Sequence, residues 1–239
     1  MIAIVTDSTA YFSKQETGQL NLTVVPITYT VAGQLYNETY SDCNGDFERL
    51  IRQNTGNLKT SATGLAVYLS TFEELVEKGQ EVLCITISSR LSGTYSSASL
   101  AAAQLGRGTI RVIDSLSTAG GLYLLVKKAT ELAAQGADFS ELCEKILELR
   151  GKISTAFSVD DMEPLRRSGR LGLVRLSVGT ILNIKPILVC VDGAVVSDGT
   201  ARGRSELIKR LLEKVPPDAE EIVINYIGDN LLASALRCV

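Results

Sequence analysis

The residues best equipped for chemistry in this chain are hydroxyls. Ser88 to Tyr95 reads SSRLSGTY, three serines and a threonine set between an apolar run, Val82 to Ile87, and an alanine-rich segment, Ser96 to Gln104. A loop of this composition suits a nucleophile, a phosphate cradle, an anion clamp or a helix cap. The sequence contains no histidine, which removes Ser-His-Asp and Cys-His nucleophile systems and most zinc chemistry. An enzyme built on this chain would draw its acid or base from Lys, Asp, Glu, Tyr or Cys. The phosphate-binding patterns GxxxxGK[ST] and GxGxxG are absent, as is the nucleophile elbow GxSxG. A serine-dependent hydrolase or transferase using Ser92 or Ser89 with a lysine or carboxylate base stays open as the alternative, although no SxxK lies near the loop. No catalytic residue and no metal ligand is assigned.

The anion-clamp reading survives. Gly93 lets the backbone approach a ligand. Thr94 and Tyr95 open a helix, so their free amides and the helix dipole face the loop, and Ser92 adds a hydroxyl donor. The same residues also read as a serine-capped helix. A second cluster, Lys59 to Gly64 with Thr60 and Ser61, reads as a loop before a helix. Together the two loops offer neutral donors to an acid head group, a combination suited to a carboxylate that must later be released. A third cluster is basic: Arg166, Arg167 and Arg170, with Arg202 and Arg204 further on. It reads equally as a solvated face or as a patch for an anionic membrane or acidic partner.

These loops need elements to hold them. Ile2 to Val5 reads as a first strand ending in Thr6-Asp7-Ser8. Leu22 to Val31 is β-rich, with Pro26 marking an edge or bend. Phe47 to Gln53 reads as helical, Val67 to Lys78 as an amphipathic helix closed by Gly79. Val82 to Ile87 is a strand and the following helix runs through Gln104. Strand Ile110 to Ile113 leads through Asp114-Ser115 into helix Ala119 to Ala134. This alternation predicts an α/β sheet with parallel pairs. Asp7-Ser8, Ser88-Ser89 and Asp114-Ser115 then gather at the carboxyl ends of strands, where open α/β sheets bind ligands.

Beyond about residue 150 the pattern changes to α+β. Helix Ser140 to Leu149 carries a Glu141 to Lys145 pair, Ile153 to Val159 is a strand, and Asp161 to Ser168 is a short helix capped by Asp160 or Asp161. Asp192-Gly193 between apolar runs signals a hairpin. Ser205 to Lys214 is a helix, Glu221 to Ile227 a strand and Leu231 to Cys238 a final helix. The expected domains are 1–150 and 151–239.

Composition narrows the classes further. In 239 residues, 45% are hydrophobic and 21% charged, with a net charge of −3. That is an ordinary globular profile, with too little positive charge for a broad nucleic-acid surface. No apolar run reaches the roughly 20 residues of a membrane span. The start, MIAIVTDS, reads as a core strand and not a signal peptide, so a cytoplasmic location is expected. The sequons at Asn21 and Asn37 carry no meaning there. The five cysteines, at 43, 84, 143, 190 and 238, form no CxxC pair, and Cys84 and Cys190 read as buried hydrophobes.

In this order, the motifs resemble the DegV family of bacterial fatty-acid-binding proteins: Thr6-Asp7-Ser8, Pro26, Thr60-Ser61, SSRLSGTY, Ile113-Asp114-Ser115, Gly169-Arg170, LNIKPIL (Leu182 to Leu188), Asp192-Gly193 and Arg202. The resemblance implies the family's EDD fold, an α/β, Rossmann-like N-terminal domain with an α+β C-terminal domain, and one long-chain fatty acid such as palmitate in a tunnel between them. It implies a carboxylate held by Thr60 and Ser92, with Ser61 and the amides near Gly93 and Thr94 in support. Arg170 and Arg202 correspond to arginines implicated in docking to a membrane or to the partner, a fatty acid kinase catalytic subunit that makes acyl-phosphate for phospholipid synthesis. The carrier itself is no catalyst and needs no cofactor beyond its ligand. Burial of an acyl chain, at about 0.8 kcal/mol per CH₂, gains on the order of 10 kcal/mol gross, so the head group needs only orienting hydrogen bonds of about 1 kcal/mol each. The sequence departs from the pattern twice. The family's TSQPS loop reads TSATG here, and a C-terminal strand with a His-Thr-Gly-Pro-Gly-like loop is expected to be lacking.

Overall fold

The computed structural model describes residues 1–42, 49, 50, 53, 58–170, 184–227, 233, 234 and 236. The chain divides into two compact units, Met1–Lys152 and Ile153–Val239. The expected helices Phe47 to Gln53 and Leu231 to Cys238, and the Leu182-Asn183 part of LNIKPIL, fall largely or wholly outside the described residues.

The first unit is built on a four-stranded parallel sheet. Its strands are β1 (Ile2–Asp7), β2 (Leu22–Val25), β6 (Glu81–Thr86) and β7 (Ile110–Asp114), in the order β2-β1-β6-β7. A parallel sheet covered on both faces needs apolar residues at consecutive positions. In β1 every residue is buried, and so is every residue of β6 after Glu81. On one face α2 (Leu65–Glu77) and α3 (Thr94–Leu105) pack through a core of Val5, Val82, Cys84, Tyr68, Phe72 and Ala98. The alternate residues Leu83 and Ile85 turn to the opposite face, where α4 (Ala119–Ala134) lies along β1 and β6. Phe72 is fully buried, and its truncation to alanine costs about 3–5 kcal/mol.

The chain leaves β1 toward β2 on one side and returns to β6 on the other, so strand order reverses between β1 and β6. That is where an open α/β sheet opens a crevice at its carboxyl edge. Between β2 and α2 the chain inserts a second sheet, antiparallel, of β3 (Ile27–Val31), β4 (Gln34–Glu38) and β5 (Leu58–Ser61), in the order β4-β3-β5. The expected single strand Leu22 to Val31 is therefore two strands in different sheets. Pro26 separates them, because it lacks an N–H for the ladder and bends the chain.

Helix α1 (Lys14–Gln19) starts with a reciprocal capping box between Ser13 and Glu16. Gly79 ends the α2 region with a left-handed φ of +74°, the conformation that a glycine adopts without strain. Helix α5 (Phe139–Arg150) is capped by Asp138. Lys145 pairs with Glu148 at 2.7 Å and not with Glu141: both spacings lie on one helix face, and the closer carboxylate wins.

In the second unit, β8 (Ala156–Phe157), β9 (Ile184–Val191) and β10 (Ala194–Arg202) form an antiparallel sheet in the order β10-β9-β8. Asp192 and Gly193 both have positive φ, 47° and 78°, the signature of the type I′ turn expected between β9 and β10. Helix α7 (Gly203–Leu212) covers this sheet through Leu207, against Ile187 and Ala201. The short helix α6 (Glu163–Ser168) has its Glu163 amide held by Asp161 at 2.8 Å. Two expectations fail here. Ile153 to Val159 contains only the two-residue β8, and Glu221 to Ile227 is no strand. Its residues are β-formers by type, but no strand pairs with them among the described residues, and Ile222, Tyr226 and Ile227 are exposed. Without a ladder partner, propensity alone makes no strand.

Candidate functional site

The crevice at the β1/β6 switch is organised by buried polar groups. The Asp7 carboxylate is completely buried and accepts from the Thr9 amide (3.1 Å), the Thr9 hydroxyl (2.5 Å) and the Ile87 amide (2.7 Å). It thereby ties the end of β1 to the end of β6. Ser8 Oγ accepts the Ile27 amide at 3.0 Å, and the Thr63 hydroxyl donates to the Pro26 carbonyl at 2.6 Å. These two bonds fix both sides of the Pro26 bend and bring the chain after β5 over the crevice. Ser88 is fully buried; its carbonyl accepts from the Leu91 and Ser92 amides, at 3.0 and 3.1 Å. Asp114 Oδ1 accepts from the Ser89 and Leu116 amides. The strand-end residues Asp7, Ser8, Ser88 and Asp114 thus position the loops.

The loop itself closes into one turn and launches α3. Gly93 is the N-cap, with φ −71° and no capping side chain. Ser92 Oγ lies 2.8 Å from Thr94 Oγ1 and 3.4 Å from the Thr94 amide. Thr94 is fully buried, so its hydroxyl has Ser92 as its natural acceptor. When Thr94 donates to Ser92, the Ser92 proton is left for an acceptor outside, and the pair polarises in that direction. The next amides, of Tyr95 and Ser96, belong to the first turn and have no intrahelical carbonyl. The sequence reading has Gly93 let the backbone approach a ligand. Its φ lies in the ordinary negative range, and a Cβ at this position would meet Ala62 Cβ at 3.7 Å, an ordinary contact.

That contact also shows that the two hydroxyl clusters come together. Ala62 follows directly on Thr60 and Ser61, and it faces Gly93. Thr60 and Ser61 are exposed, but they do not lie in a loop. Both belong to β5, paired with β3 as Tyr29 to Thr60 and Thr28 to Ser61. Successive side chains of a strand point to opposite faces, so Thr60 and Ser61 cannot both turn toward one head group. The expected pairing of the two as co-donors gives way to a choice between them.

A buried acid behind the antiparallel sheet escaped the sequence reading. Glu38 ends β4 opposite Ile27 and is only 4% exposed. Burial, reinforced by the nearby Asp7 charge, pushes its carboxyl up to about 7 against a hydrogen bond from Tyr11 that works the other way. Burial also raises Asp7, despite the amide and hydroxyl donors around it. Tyr11, raised by burial and by both carboxylates, adopts a left-handed φ of 57°. Leu116 and Ala119, at the exit of β7, share that conformation at 52° and 48°. Such strain in non-glycine residues gathers at functional sites. No sequence signal distinguishes Glu38 from a surface acid.

The basic residues lie in the second unit. Arg170 follows the left-handed Gly169 at the end of α6, is exposed, and donates to the Ser168 carbonyl. Arg166 and Arg167 both pair with Glu163, which absorbs part of the expected patch. Arg202 closes β10, exposed, with its amide donating to Glu206 at 2.8 Å. Among the described residues no cluster of His, Cys, Asp and Glu could hold a metal ion, and no helix is long and apolar enough to cross a membrane. Cys84 and Cys143 are buried, whereas Cys190 is half-buried.

A family model described as "Uncharacterised protein, DegV family" matches residues 1–230. The chain belongs to the DegV family. A DegV domain-containing protein of Deinococcus radiodurans is 33% identical over 214 residues, covering 90% of this chain and 76% of that protein. Another, from Halalkalibacterium halodurans, is 31% identical over 238 residues, covering 98% and 84%. Among solved DegV structures, a fatty-acid-binding member from Thermus thermophilus superposes with a TM-score of 0.83 at 30% identity, over 99% of this chain and 86% of that one. DegV of Bacillus subtilis, described as a fatty acid binding protein, gives 0.75 at 28% identity, over 89% and 76%. The fold shared with these DegV structures is the α/β arrangement described above, with a parallel four-stranded sheet and an antiparallel sheet in the first unit and a further antiparallel sheet in the second.

Proposed function

We propose that this chain binds one long-chain fatty acid and holds its carboxylate between a loop and a strand end, with Ser92, Gly93 and Thr94 on one side and Thr60 at the end of β5 on the other, Ser61 lying on the opposite face of β5. The observation that carries this reading is the approach of the β5–α2 loop to Gly93, 3.7 Å between Ala62 Cβ and the position of a Gly93 Cβ. It sets a polarised hydroxyl pair and free first-turn amides against a strand end bearing exposed hydroxyls. Neutral donors of this kind orient a carboxylate without a buried counter-charge. Solved relatives at 28–30% identity that bind fatty acids support the assignment.

The chain acts as a carrier in the cytoplasm. It presents the acyl group to a separate fatty acid kinase, with Arg170 and Arg202 docking on that partner or, transiently, on an anionic membrane surface. Ligand binding needs no further cofactor. The serine-hydrolase alternative fits the geometry less well, because among the described residues no lysine or carboxylate hydrogen-bonds to Ser92.

Equilibrium dialysis with labelled palmitate tests the site. A hydrogen bond to a charged acceptor contributes about 1.5–3 kcal/mol, so Ser92→Ala and Thr60→Ala each weaken binding roughly ten- to hundredfold. Equal affinity in the double variant overturns the assignment. Turnover of a p-nitrophenyl ester that disappears in Ser92→Ala would establish the hydrolase instead. Reversing the charge of Arg170 and Arg202 leaves palmitate affinity unchanged and slows acyl-phosphate formation by an added fatty acid kinase. Unchanged kinase rates overturn the docking role.

A further inference from the structure

An open polar cavity lies within the first unit, next to the end of the Ser88–Tyr95 stretch. It holds about 360 Å³ between α3, β7 and α5, and its walls include Tyr95, Ser99, Arg111, Asp114, Leu147 and Arg150. Among the described residues β7 is the last strand of its sheet, so on this side its backbone groups pair with no described strand. Arg150, the last residue of α5, reaches across and donates to the Asp114 carbonyl at 3.0 Å. That bond occupies one of its five N–H donors. Neither Arg150 nor Arg111 forms an ion pair among the described residues. The Asp114 carboxylate is already engaged with the Ser89 and Leu116 amides. The Ser99 hydroxyl is shielded from solvent and has no hydrogen-bond partner.

In a protein of net charge −3, two guanidinium groups without carboxylate partners on the wall of one cavity are unusual. Guanidinium groups match phosphate oxygens with parallel N–H donors. The rest of the lining, with Val112, Leu147 and the Tyr95 ring, offers an aromatic and aliphatic wall. The volume falls in the range of small-molecule sites and exceeds what a bare phosphate fills. We infer that this cavity binds a phosphate monoester, its phosphate on Arg111 and Arg150 and its organic part against the Tyr95–Leu147 wall. The cavity takes the Tyr95 side chain, whereas the proposed carboxylate clamp uses the first-turn amides of α3, and the ligand of the cavity is either a free metabolite or a lipid head group.

Two binding arms separate these sources. Isothermal titration calorimetry with phenyl phosphate, and with inorganic phosphate for the head alone, reads the soluble ligand. Co-sedimentation with phosphatidylcholine vesicles containing phosphatidic acid reads the lipid. Among the described residues the Arg111 side chain forms no hydrogen bond or ion pair, so Arg111→Ala keeps the structure while removing one donor group. It is expected to weaken binding at least about tenfold, as the loss of one charge-assisted contact does. Arg150→Lys, which keeps the charge but not the planar fork, weakens it less. Phenyl phosphate should bind more tightly than inorganic phosphate, and palmitate affinity should be the same in all variants. Arginine-dependent binding in either arm supports the site and names its source. No saturable binding in both arms, or binding unchanged in Arg111→Ala with Arg150→Lys, overturns it.

Discussion

Glu38→Gln should remove most of a pH dependence that the wild-type protein shows between about pH 5 and pH 8. Glu38 is almost completely buried at the end of β4, close to Asp7. Its ordinary value of 4.5 is raised to about 7. A carboxyl with a raised value in the folded state favours folding while it is protonated. That contribution is complete below about pH 4.5 and is lost as pH rises through about 7. The difference between 4.5 and about 7 corresponds to about 3 kcal/mol, an upper figure because Asp7 shares the titration. At about 2–4 °C per kcal/mol for a chain of this size, the wild-type melting temperature should fall by roughly 6–12 °C from pH 5 to pH 8. The absence of histidine removes the residue that normally dominates this window, so the slope is easy to assign. Differential scanning calorimetry at half-unit pH steps measures it. Glu38→Gln keeps the shape and a hydrogen-bonding side chain but carries no titrating proton, so its melting temperature should fall much less, with the buried Asp7 left as the remaining raised carboxyl. A variant with the same slope as wild type would refute the reasoning.

Four further outcomes follow from the site geometry. Because Thr60 and Ser61 point to opposite faces of β5, Thr60→Ala and Ser61→Ala should differ in palmitate affinity by about tenfold or more, and equal losses by dialysis would contradict the strand assignment. Gly93→Ala should fold normally, since its Cβ would make an ordinary 3.7 Å contact with Ala62; its melting temperature should match wild type while palmitate binding weakens through the added methyl at the loop gap. Thr63→Val removes the hydrogen bond to the Pro26 carbonyl and should cost about 1–2 kcal/mol by urea denaturation, with a matching loss of ligand affinity. Asp7→Asn removes the buried charge that helps to raise Glu38 and should move the fall in melting temperature to lower pH, read by calorimetry.

The centre of the parallel sheet was legible because β1 and β6, buried on both faces, appear as continuous apolar runs, and helix α4 was found with both ends in place. The Asp192-Gly193 turn was legible because its two positive φ values demand those residue types. β5 was read as a loop because Lys59, Thr60 and Ser61 are polar and exposed; what makes them a strand is the ladder to β3, which local composition does not encode. Glu221 to Ile227 is the converse case, a run of β-formers that finds no partner. In the site, Ser92 and Thr60 could be named from their motifs. Glu38 could not, because burial of a single acid beside a residue 31 positions earlier is a product of topology alone. The strand-end residues Asp7 and Ser88 were noticed, but whether they bind or brace is decided by their hydrogen bonds.

The central claim, one fatty acid held between the Ser92 loop and the end of β5, is tested most directly by native mass spectrometry of the purified full chain before and after addition of palmitate. The account predicts a mass increment of one acyl chain per protein molecule, retained in wild type and diminished in the Ser92→Ala, Thr60→Ala double variant. A ligand-free mass that stays unchanged with excess palmitate or oleate would contradict it.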